Sequence, residues 1–430
     1  MNPMKITIYG NYFDCQIYRG RLYLWTFDGE LLVYNWNSIV NTFINQEIDR
    51  IAMTFCFLDG NYLYKSSLVE LFHDEEFRKL LLNKFARIQK TKYQITGEEL
   101  KNHIISKQDI PSKILPTDTE IYGNTLYFAT DKGFYSCDVH MRSDYKSAIN
   151  KNVNTIWDCN LLSIKANKYP QIALSAGSEG LYEYNFIADN KPCNLKKIDT
   201  FSDIYQISTK HSMTANYTYQ SIYNTSNVSN SYLAEFQFIK REKWSRDFKE
   251  IIFDNNLFKC NGNRKYLSWG IADKIYRAKE HGFEIIKYFP SAKHKKGQET
   301  FERIDDVNID AWKGEVVNGG TAYFGNIVEC KNALVIIMSD KKIITIPGPI
   351  TRWRVFPRSL NYENHLHVIL DNKIVIYSFN QDYFIDQNNK AIGIKYSEEK
   401  HNRGKRTSYF NDFSFKKYAE DNVFSEQVSF

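Results

Sequence analysis

The chain has 430 residues, of which 43% are hydrophobic and 25% charged, a composition that excludes disordered and fibrous classes. Its net charge of +6 permits contact with nucleic acid or an acidic partner without requiring it. Tyrosine and phenylalanine are abundant, at 30 and 29 residues, and aromatic side chains favour pleated, half-buried strands.

The seven cysteines indicate a reducing compartment. They are odd in number, widely scattered and without a CxxC pair, so we expect no disulfide framework. The N-terminal residues lack the apolar segment of a signal peptide, and the longest apolar run, residues 333–338, is too short to cross a bilayer. We therefore expect a cytoplasmic protein with no membrane contact.

Hairpin patterns recur along the chain. Alternating residues on both sides of a short polar turn predict a β-hairpin, because successive strand side chains point to opposite faces. The first hairpin turns at Asp28-Gly29 and follows two candidate strands, so a four-strand unit is expected within the first 36 residues. A weaker hairpin covers residues 51–65. Later hairpins turn near residues 131, 178, 228, 273, 340 and 371.

The periodicity changes between residues 66 and 110. Apolar residues recur there at spacings of three and four, the pattern of an amphipathic helix. Ser67 with Glu70, and Thr96 with Glu99, are candidate capping boxes. We expect a helical insertion in a loop of the β scaffold, which either covers exposed strands or binds a partner.

Two hairpins carry a resemblance to a known architecture. Residues 126–139, LYFATDKGFYSCDV, and 172–186, IALSAGSEGLYEYNF, resemble the blade hairpin of the β-propeller superfamily, in degenerate WD40-like form. The Trp-Asp pair of WD40 repeats occurs once, at Trp157-Asp158, out of phase with the hairpins.

The resemblance implies an all-β fold. It predicts a seven-bladed β-propeller, with six or eight blades as alternatives, over residues 1–394. Residues 66–110 form the helical insertion within it, and residues 395–430 form a basic and aromatic C-terminal extension.

Candidate metal ligands are few. Cys137 and His140 have half the spacing of a zinc site, and no second pair completes it. His365 and His367 would share one face of a strand, but no third ligand is visible, so we expect a solvated strand face. Nucleotide-binding, nucleophile-elbow and zinc-protease motifs are absent from the sequence. We therefore expect no catalytic residue, metal or cofactor.

The densest basic and aromatic cluster lies at residues 351–358. In a strand, Arg352, Arg354 and Arg358 would share one face and Trp353 the other. A row of guanidinium groups can bind phosphates or carboxylates, and a solvated surface is the alternative interpretation. The candidate contacts to an anion, nucleic acid or partner are Arg352, Trp353, Arg354, Arg358, Lys293, Lys295 and Lys296.

The repeats favour a non-enzymatic scaffold for protein–protein interaction, or a subunit of a larger intracellular complex. Two alternatives stay open. One is a nucleic-acid-binding subunit that uses the arginine and aromatic surface. The other is a propeller enzyme or small-ligand binder with a site at the channel mouth, since a fold does not determine a function.

Overall fold

Seven β-sheets form a closed ring. The computed structural model describes residues 3–45, 47–60, 74–140, 148–166, 171–185, 195–198, 213–218, 220–225, 231–238, 246–259, 267–289, 300–312, 314–322, 324–338, 342–359 and 361–379. Within these ranges the strands, numbered in chain order, are β1 (Met4–Tyr9), β2 (Tyr12–Tyr18), β3 (Arg21–Thr26), β4 (Glu30–Asn35), β5 (Tyr93–Ile95), β6 (Ile104–Asp109), β7 (Asp118–Tyr122), β8 (Thr125–Thr130), β9 (Gly133–Asp138), β10 (Asn154–Trp157), β11 (Ser163–Ala166), β12 (Gln171–Ser175), β13 (Leu181–Asn185), β14 (Leu195–Ile198), β15 (Met213–Tyr217), β16 (Ser221–Thr225), β17 (Tyr232–Phe238), β18 (Arg246–Phe253), β19 (Ser268–Ile271), β20 (Lys274–Lys279), β21 (Gly282–Tyr288), β22 (Phe301–Val307), β23 (Val316–Ala322), β24 (Gly325–Cys330), β25 (Ala333–Met338), β26 (Ile343–Pro347), β27 (Arg352–Val355), β28 (His365–Leu370) and β29 (Lys373–Ser378).

Each sheet is one blade of a seven-bladed β-propeller. Blade 1 consists of β2, β3, β4 and β6, blades 2 to 6 take the strands β7 to β26 in successive fours, and blade 7 combines β27, β28, β29, β1 and β5. The first strands of neighbouring blades contact one another along the central channel. Apolar side chains fill the space between adjacent sheets, as Val33 and Phe128 do between blades 1 and 2. The predicted seven-bladed arrangement is confirmed.

The N-terminal strand closes the ring. β1 pairs antiparallel with β29, in register from Met4 opposite Ser378 to Tyr9 opposite Lys373. The expected four-strand unit in the first 36 residues is therefore wrong, because β1 belongs to blade 7 and β2 begins blade 1. Pairing β1 with β29 completes blade 7 and ties the N-terminal strand to the last strand of the described ring.

Seven of the eight predicted hairpins correspond to paired neighbouring strands, but they do not contain the same two strands of each blade. The turns between second and third strands lie near residues 28, 131, 178, 280, 331 and 371. The predicted turn at 273 instead joins β19 to β20. The predicted turns at 228 and 340 lie outside the described residues, between the paired strands β16 and β17 and the paired strands β25 and β26. Alternation looks the same in every hairpin of a blade, so the sequence does not show which pair of strands a turn connects.

A mostly helical segment separates β4 from β6. The helices of the described chain are α1 (Trp36–Thr42), α2 (Glu47–Met53), α3 (Glu75–Lys90), α4 (Gly97–Leu100) and α5 (Asp254–Leu257), with a π-helix at Thr54–Leu58 and 3₁₀ turns at Lys101–His103 and Gly177–Glu179. The Thr96–Glu99 capping box is confirmed at the start of α4. The Ser67–Glu70 pair lies outside the described residues.

Two local predictions in this segment need correction. The expected hairpin at residues 51–65 is wrong over residues 51–58, which are helical. Phe55, Cys56 and Phe57 are all fully buried there, as a helix packed on several sides allows. The described part of residues 66–110 holds strands β5 and β6 as well as helices.

The described residues between β4 and β6, 36–45, 47–60 and 74–103, form a longer insertion than predicted and cover the seam between blades 7 and 1. The name insertion refers to these residues from here on. Phe55 and Phe57 share a core cluster with Leu22 of blade 1 and Ile374 of blade 7. The indole of Trp36 donates to the Phe57 carbonyl at 2.6 Å, and β5 adds a parallel edge strand to β1. Burying each phenylalanine stabilises the fold by roughly 1.5–3 kcal/mol, so the insertion strengthens the point at which the ring closes.

Polar side chains bridge every blade interface. Each bridge joins a side chain of one blade to a group on the next, so that the ring resists sliding of the sheets. In order from interface 7–1 round to interface 6–7, the bridges are Arg354–Asp14, Gln16–Thr119, Asp118–Ile164, Ser175–Asn224, Asn216–Ala272, Trp269–Thr321 and Trp353–Glu329.

Candidate functional site

The arginine row lies along the central channel. Arg354 Nε and Nη2 donate to the two carboxylate oxygens of Asp14 at 2.6 and 2.7 Å. Its Nη2 also reaches Asp118 Oδ1 at 2.9 Å. Asp14 lies on β2 and Asp118 on β7, so one guanidinium of blade 7 spans the first strands of blades 1 and 2. The predicted strand at Arg352–Val355 is present.

The other two arginines bind the same neighbouring blades. Arg352 Nη1 donates to Asp14 Oδ2 at 3.1 Å and its Nη2 to the Thr117 carbonyl at 2.9 Å. Arg358 forms an ion pair with Glu120 of β7. All three guanidinium groups therefore contact carboxylates of this chain, and the arrangement joins three blades.

Neighbouring charges keep Asp14 and Arg354 ionised. Burial alone would raise the pKa of Asp14, but the charges of Arg352 and Arg354, with hydrogen bonds from Arg354 and Thr119, outweigh it and hold that pKa below its ordinary value. Burial acts to lower the pKa of Arg354, and the Asp14 and Asp118 carboxylates more than reverse this. The pair is therefore ionised across the physiological pH range.

Trp353 points away from this cluster, as alternation along a strand requires. Its indole nitrogen donates to Glu329 Oε2 at 2.8 Å. A Cβ added at Gly320 would lie 2.7 Å from the Trp353 ring, so the indole occupies space that this glycine leaves open. Burial raises the pKa of Glu329. The remaining predicted contacts, Lys293, Lys295 and Lys296, lie outside the described residues.

Lys165 is a further residue of this cluster that no sequence pattern indicated. This residue lies on β11, the first strand of blade 3, and is partly exposed. Burial, together with the charges of Arg358 and Arg354, holds its pKa below the ordinary value, although Glu120 and Asp118 oppose the shift. A single lysine in a four-residue strand gives no sequence signal, because its neighbours in space come from blades 2 and 7.

The two histidines of β28 are buried, so the expected solvated strand face is wrong. His365 Nε2 lies 2.9 Å from the Cys56 carbonyl, and His367 Nε2 lies 3.4 Å from His365 Nδ1. His367 Nδ1 is 3.6 Å from the Cys15 sulfur. Burial lowers the pKa of His365 to about 4. The insertion covers this strand face, which the alternation of two histidines does not reveal.

No group of three or more His, Cys, Asp or Glu side chains could hold a metal ion in the part of the chain that the structure describes. Cys137 is buried within β9, while His140 follows the strand. Over the same described ranges, no helix is long and apolar enough to cross a membrane.

One end of the ring exposes large apolar side chains. Phe27, in the turn between β3 and β4, is 48% exposed, and Leu115, in the connection from β6 to β7, is 43% exposed. The Ile110 N–H donates to the Gly29 carbonyl at 2.9 Å, so these two loops adjoin. We name Phe27, Leu115 and the residues 110–117 the blade 1–2 face. Arg352, 27% exposed, borders it through Thr117.

No protein-family model matches the sequence, and no curated protein matches it. Among solved structures, the β-propeller domain of Cps50 (Swd1) from Myceliophteria thermophila is similar at 7% identity and a TM-score of 0.44, covering 87% of this chain and 99% of that one. A structure of S. cerevisiae Dbp5 bound to Nup159 and Gle1 contains a similar chain, at 9% identity, a TM-score of 0.43 and coverages of 88% and 95%.

A third similar structure is Chaetomium thermophilum Sqt1 bound to the N-terminus of a ribosomal protein. It is 8% identical, with a TM-score of 0.38, and the match covers 61% of this chain and 74% of that one.

Proposed function

We propose that this protein is a non-enzymatic scaffold that binds a protein partner through the blade 1–2 face. The observation that carries the proposal is the exposure of Phe27 and Leu115 on two loops held together by a hydrogen bond. Phenylalanine and arginine are enriched in protein–protein interfaces, and Leu115 adds apolar area beside Phe27. The bridged blade interfaces hold these anchors on a rigid ring, which reduces the entropy lost on binding.

The arginine row supports this proposal over the nucleic-acid alternative. A strand of nucleic acid needs a series of basic groups that are free to contact successive phosphates. Here Arg352, Arg354 and Arg358 contact Asp14, Asp118 and Glu120 of the chain itself. A phosphate backbone would have to displace these carboxylates.

The proposal is tested by capture from an extract of the native host with the immobilised full chain. Substituting Phe27→Ser and Leu115→Ser together should reduce recovery of the partner roughly tenfold or more, since hot-spot losses of about 2 kcal/mol are typical. Leu80→Ser is the matched control, because Leu80 is 50% exposed on α3. That helix lies in the connection between the third and fourth strands of blade 1, at the opposite end of the blade.

Quantitative mass spectrometry compares the proteins recovered by the unchanged chain, by the Phe27→Ser and Leu115→Ser double variant, and by Leu80→Ser. The proposal requires a protein that the unchanged chain and the Leu80→Ser variant recover equally and the double variant does not. Equal recovery by the double variant would show that the partner binds elsewhere.

A further inference from the structure

Lys165 places an amine in the channel with no ion-pair partner among the described residues. Its strand contributes Ile164 and Ala166 to the core between blades 2 and 3, so the alternate position, Lys165, points away from that core. Arg354 and Arg358 of blade 7 influence it electrostatically. Arg354 donates to Asp118 Oδ1 at 2.9 Å, and the other oxygen of Asp118 accepts from the Ile164 N–H at 3.0 Å, so the Arg354 guanidinium extends to the strand that carries Lys165.

The nearby carboxylates are bound to other groups, so the positive charge of Lys165 has no carboxylate paired with it among the described residues. Three carboxylates form ion pairs with the three arginines. Asp14 pairs with Arg352 and Arg354. Asp118 also pairs with Arg354, and Glu120 pairs with Arg358. Glu329 binds the Trp353 indole on the other face of β27. Lys165 is the cation of the cluster that lacks a carboxylate within ion-pair distance among the described residues.

An amine in this position favours a small anion. An ammonium group donates up to three hydrogen bonds and acts as a point charge, which suits a compact oxyanion. Arg352, Arg354, Arg358 and Lys165 are four cations against the three carboxylates Asp14, Asp118 and Glu120, so one positive charge is left over. The partly desolvated channel wall screens the field of this charge less than bulk water does. A phosphate group, with close to two negative charges at neutral pH, gains most from such a field.

We propose that Lys165 binds a small ligand bearing a phosphate group inside the channel, while Arg354 and Arg358 stay on their carboxylates. This site is independent of the blade 1–2 face. A partner bound at that face and a phosphate bound in the channel can therefore be tested separately.

Titration calorimetry with inorganic phosphate, at constant ionic strength, tests the proposal on the full chain. The unchanged chain should bind phosphate saturably, and Lys165→Met should bind roughly tenfold or more weakly, because one charge-assisted hydrogen bond is lost. Lys132→Met is the matched control, since Lys132 is an exposed lysine in the hairpin turn of blade 2. This variant should bind phosphate as the unchanged chain does.

Lys165→Met should fold. Methionine keeps the aliphatic stem and removes a charge whose burial outweighs its attraction to Glu120 and Asp118, so the melting temperature of the variant in phosphate-free buffer should equal or exceed that of the unchanged chain. A second measurement uses only the unchanged sequence. After reductive methylation with ¹³C-formaldehyde, the NMR signal assigned to Lys165 should titrate at higher pH when phosphate is present.

Three results would overturn the proposal. One is the absence of saturable phosphate binding by the unchanged chain. The second is equal affinity in Lys165→Met, or an equal loss in Lys132→Met. The third is a Lys165 resonance whose titration does not move with phosphate, and this result decides the question even when the Lys165→Met variant does not fold.

Discussion

Arg354 combines two properties that a surface arginine lacks. It is bonded by two nitrogens to Asp14, a residue with no exposed surface, and it continues to Asp118 on the next blade. Two-pronged pairing of a guanidinium with a carboxylate is stronger and more directional than a single contact. Removing one partner of a buried pair leaves the other charge in a poorly solvated place, and this costs more than the pair itself contributes.

We predict that Arg354→Met lowers the free energy of unfolding by about 3–5 kcal/mol, because Asp14 then keeps its hydrogen bonds from Thr119 and the Cys15 N–H but has only the longer contact to Arg352 to balance its charge. Urea denaturation followed by circular dichroism measures this loss. Arg303→Met is the control, because Arg303 is 58% exposed in its ion pair with Asp306. The control should lose no more than about 1 kcal/mol. A similar small loss for Arg354→Met would contradict the role assigned to the channel cluster.

The buried histidines make the fold sensitive to acid. His365 has a pKa of about 4 in the folded chain against an ordinary value of 6.5, because burial disfavours its charged form. Between these values the unfolded chain binds more protons than the folded chain. Stability is therefore complete above about pH 6.5 and falls as the pH drops towards 4, by at most about 1.4 kcal/mol per pH unit for this group.

We predict that His365→Gln flattens this dependence, since the amide can still donate to the Cys56 carbonyl but does not titrate. Urea denaturation at pH 7 and pH 5 gives the difference in stability for each variant. His281→Gln, at an exposed histidine beside Asp310, should leave the difference unchanged. If the His365→Gln variant loses as much stability as the unchanged chain over this interval, His365 is not the acid-sensitive group.

Among the secondary-structure elements, local sequence patterns predicted the positions of strands well but did not predict which strands pair. Alternation located hairpins such as residues 126–139, because side-chain direction follows from neighbouring residues alone. It did not show that β1 pairs with β29, since that pairing depends on the closure of the whole ring. The same limit explains why the sequence did not show which strands of their blades the predicted hairpins at 273 and 340 contain.

The candidate site was predictable to the same extent. The sequence placed Arg352, Arg354 and Arg358 on one strand face, and the structure brings all three against carboxylates of blades 1 and 2. Their partners were not predictable, because Asp14 lies 340 residues from Arg354 in the chain. Lys165 was missed for the same reason, as its charged neighbours come from other blades.

The insertion shows where helix periodicity is informative. α3 and the Thr96–Glu99 capping box follow local rules, and both are found near their predicted positions. β5 has only three residues and forms by pairing with β1, so no period could reveal it. Residues 51–58 are apolar at nearly every position, and such a run fits a buried helix as well as a buried strand.

At the scale of the molecule, three features meet at the seam between blades 7 and 1. They are the pairing of β1 with β29, the buried face of the insertion, and the Arg354–Asp14 pair. Both proposals depend on this closure. An open ring would separate the blade 1–2 face from Arg352 and would remove Arg354 and Arg358 from Asp118 and Glu120, the carboxylates nearest to Lys165.

Closure is tested most directly by a disulfide across the seam. Lys5 of β1 lies opposite Tyr377 of β29, and directly paired strand residues place their Cβ atoms close enough for a disulfide after small adjustment. In a chain carrying Lys5→Cys and Tyr377→Cys, mild oxidation should give a linked peptide by mass spectrometry and a melting temperature that falls on reduction. A chain carrying Lys5→Cys and Lys132→Cys should give no such link. Absence of the first link, or equal yield of the second, would contradict the closed ring.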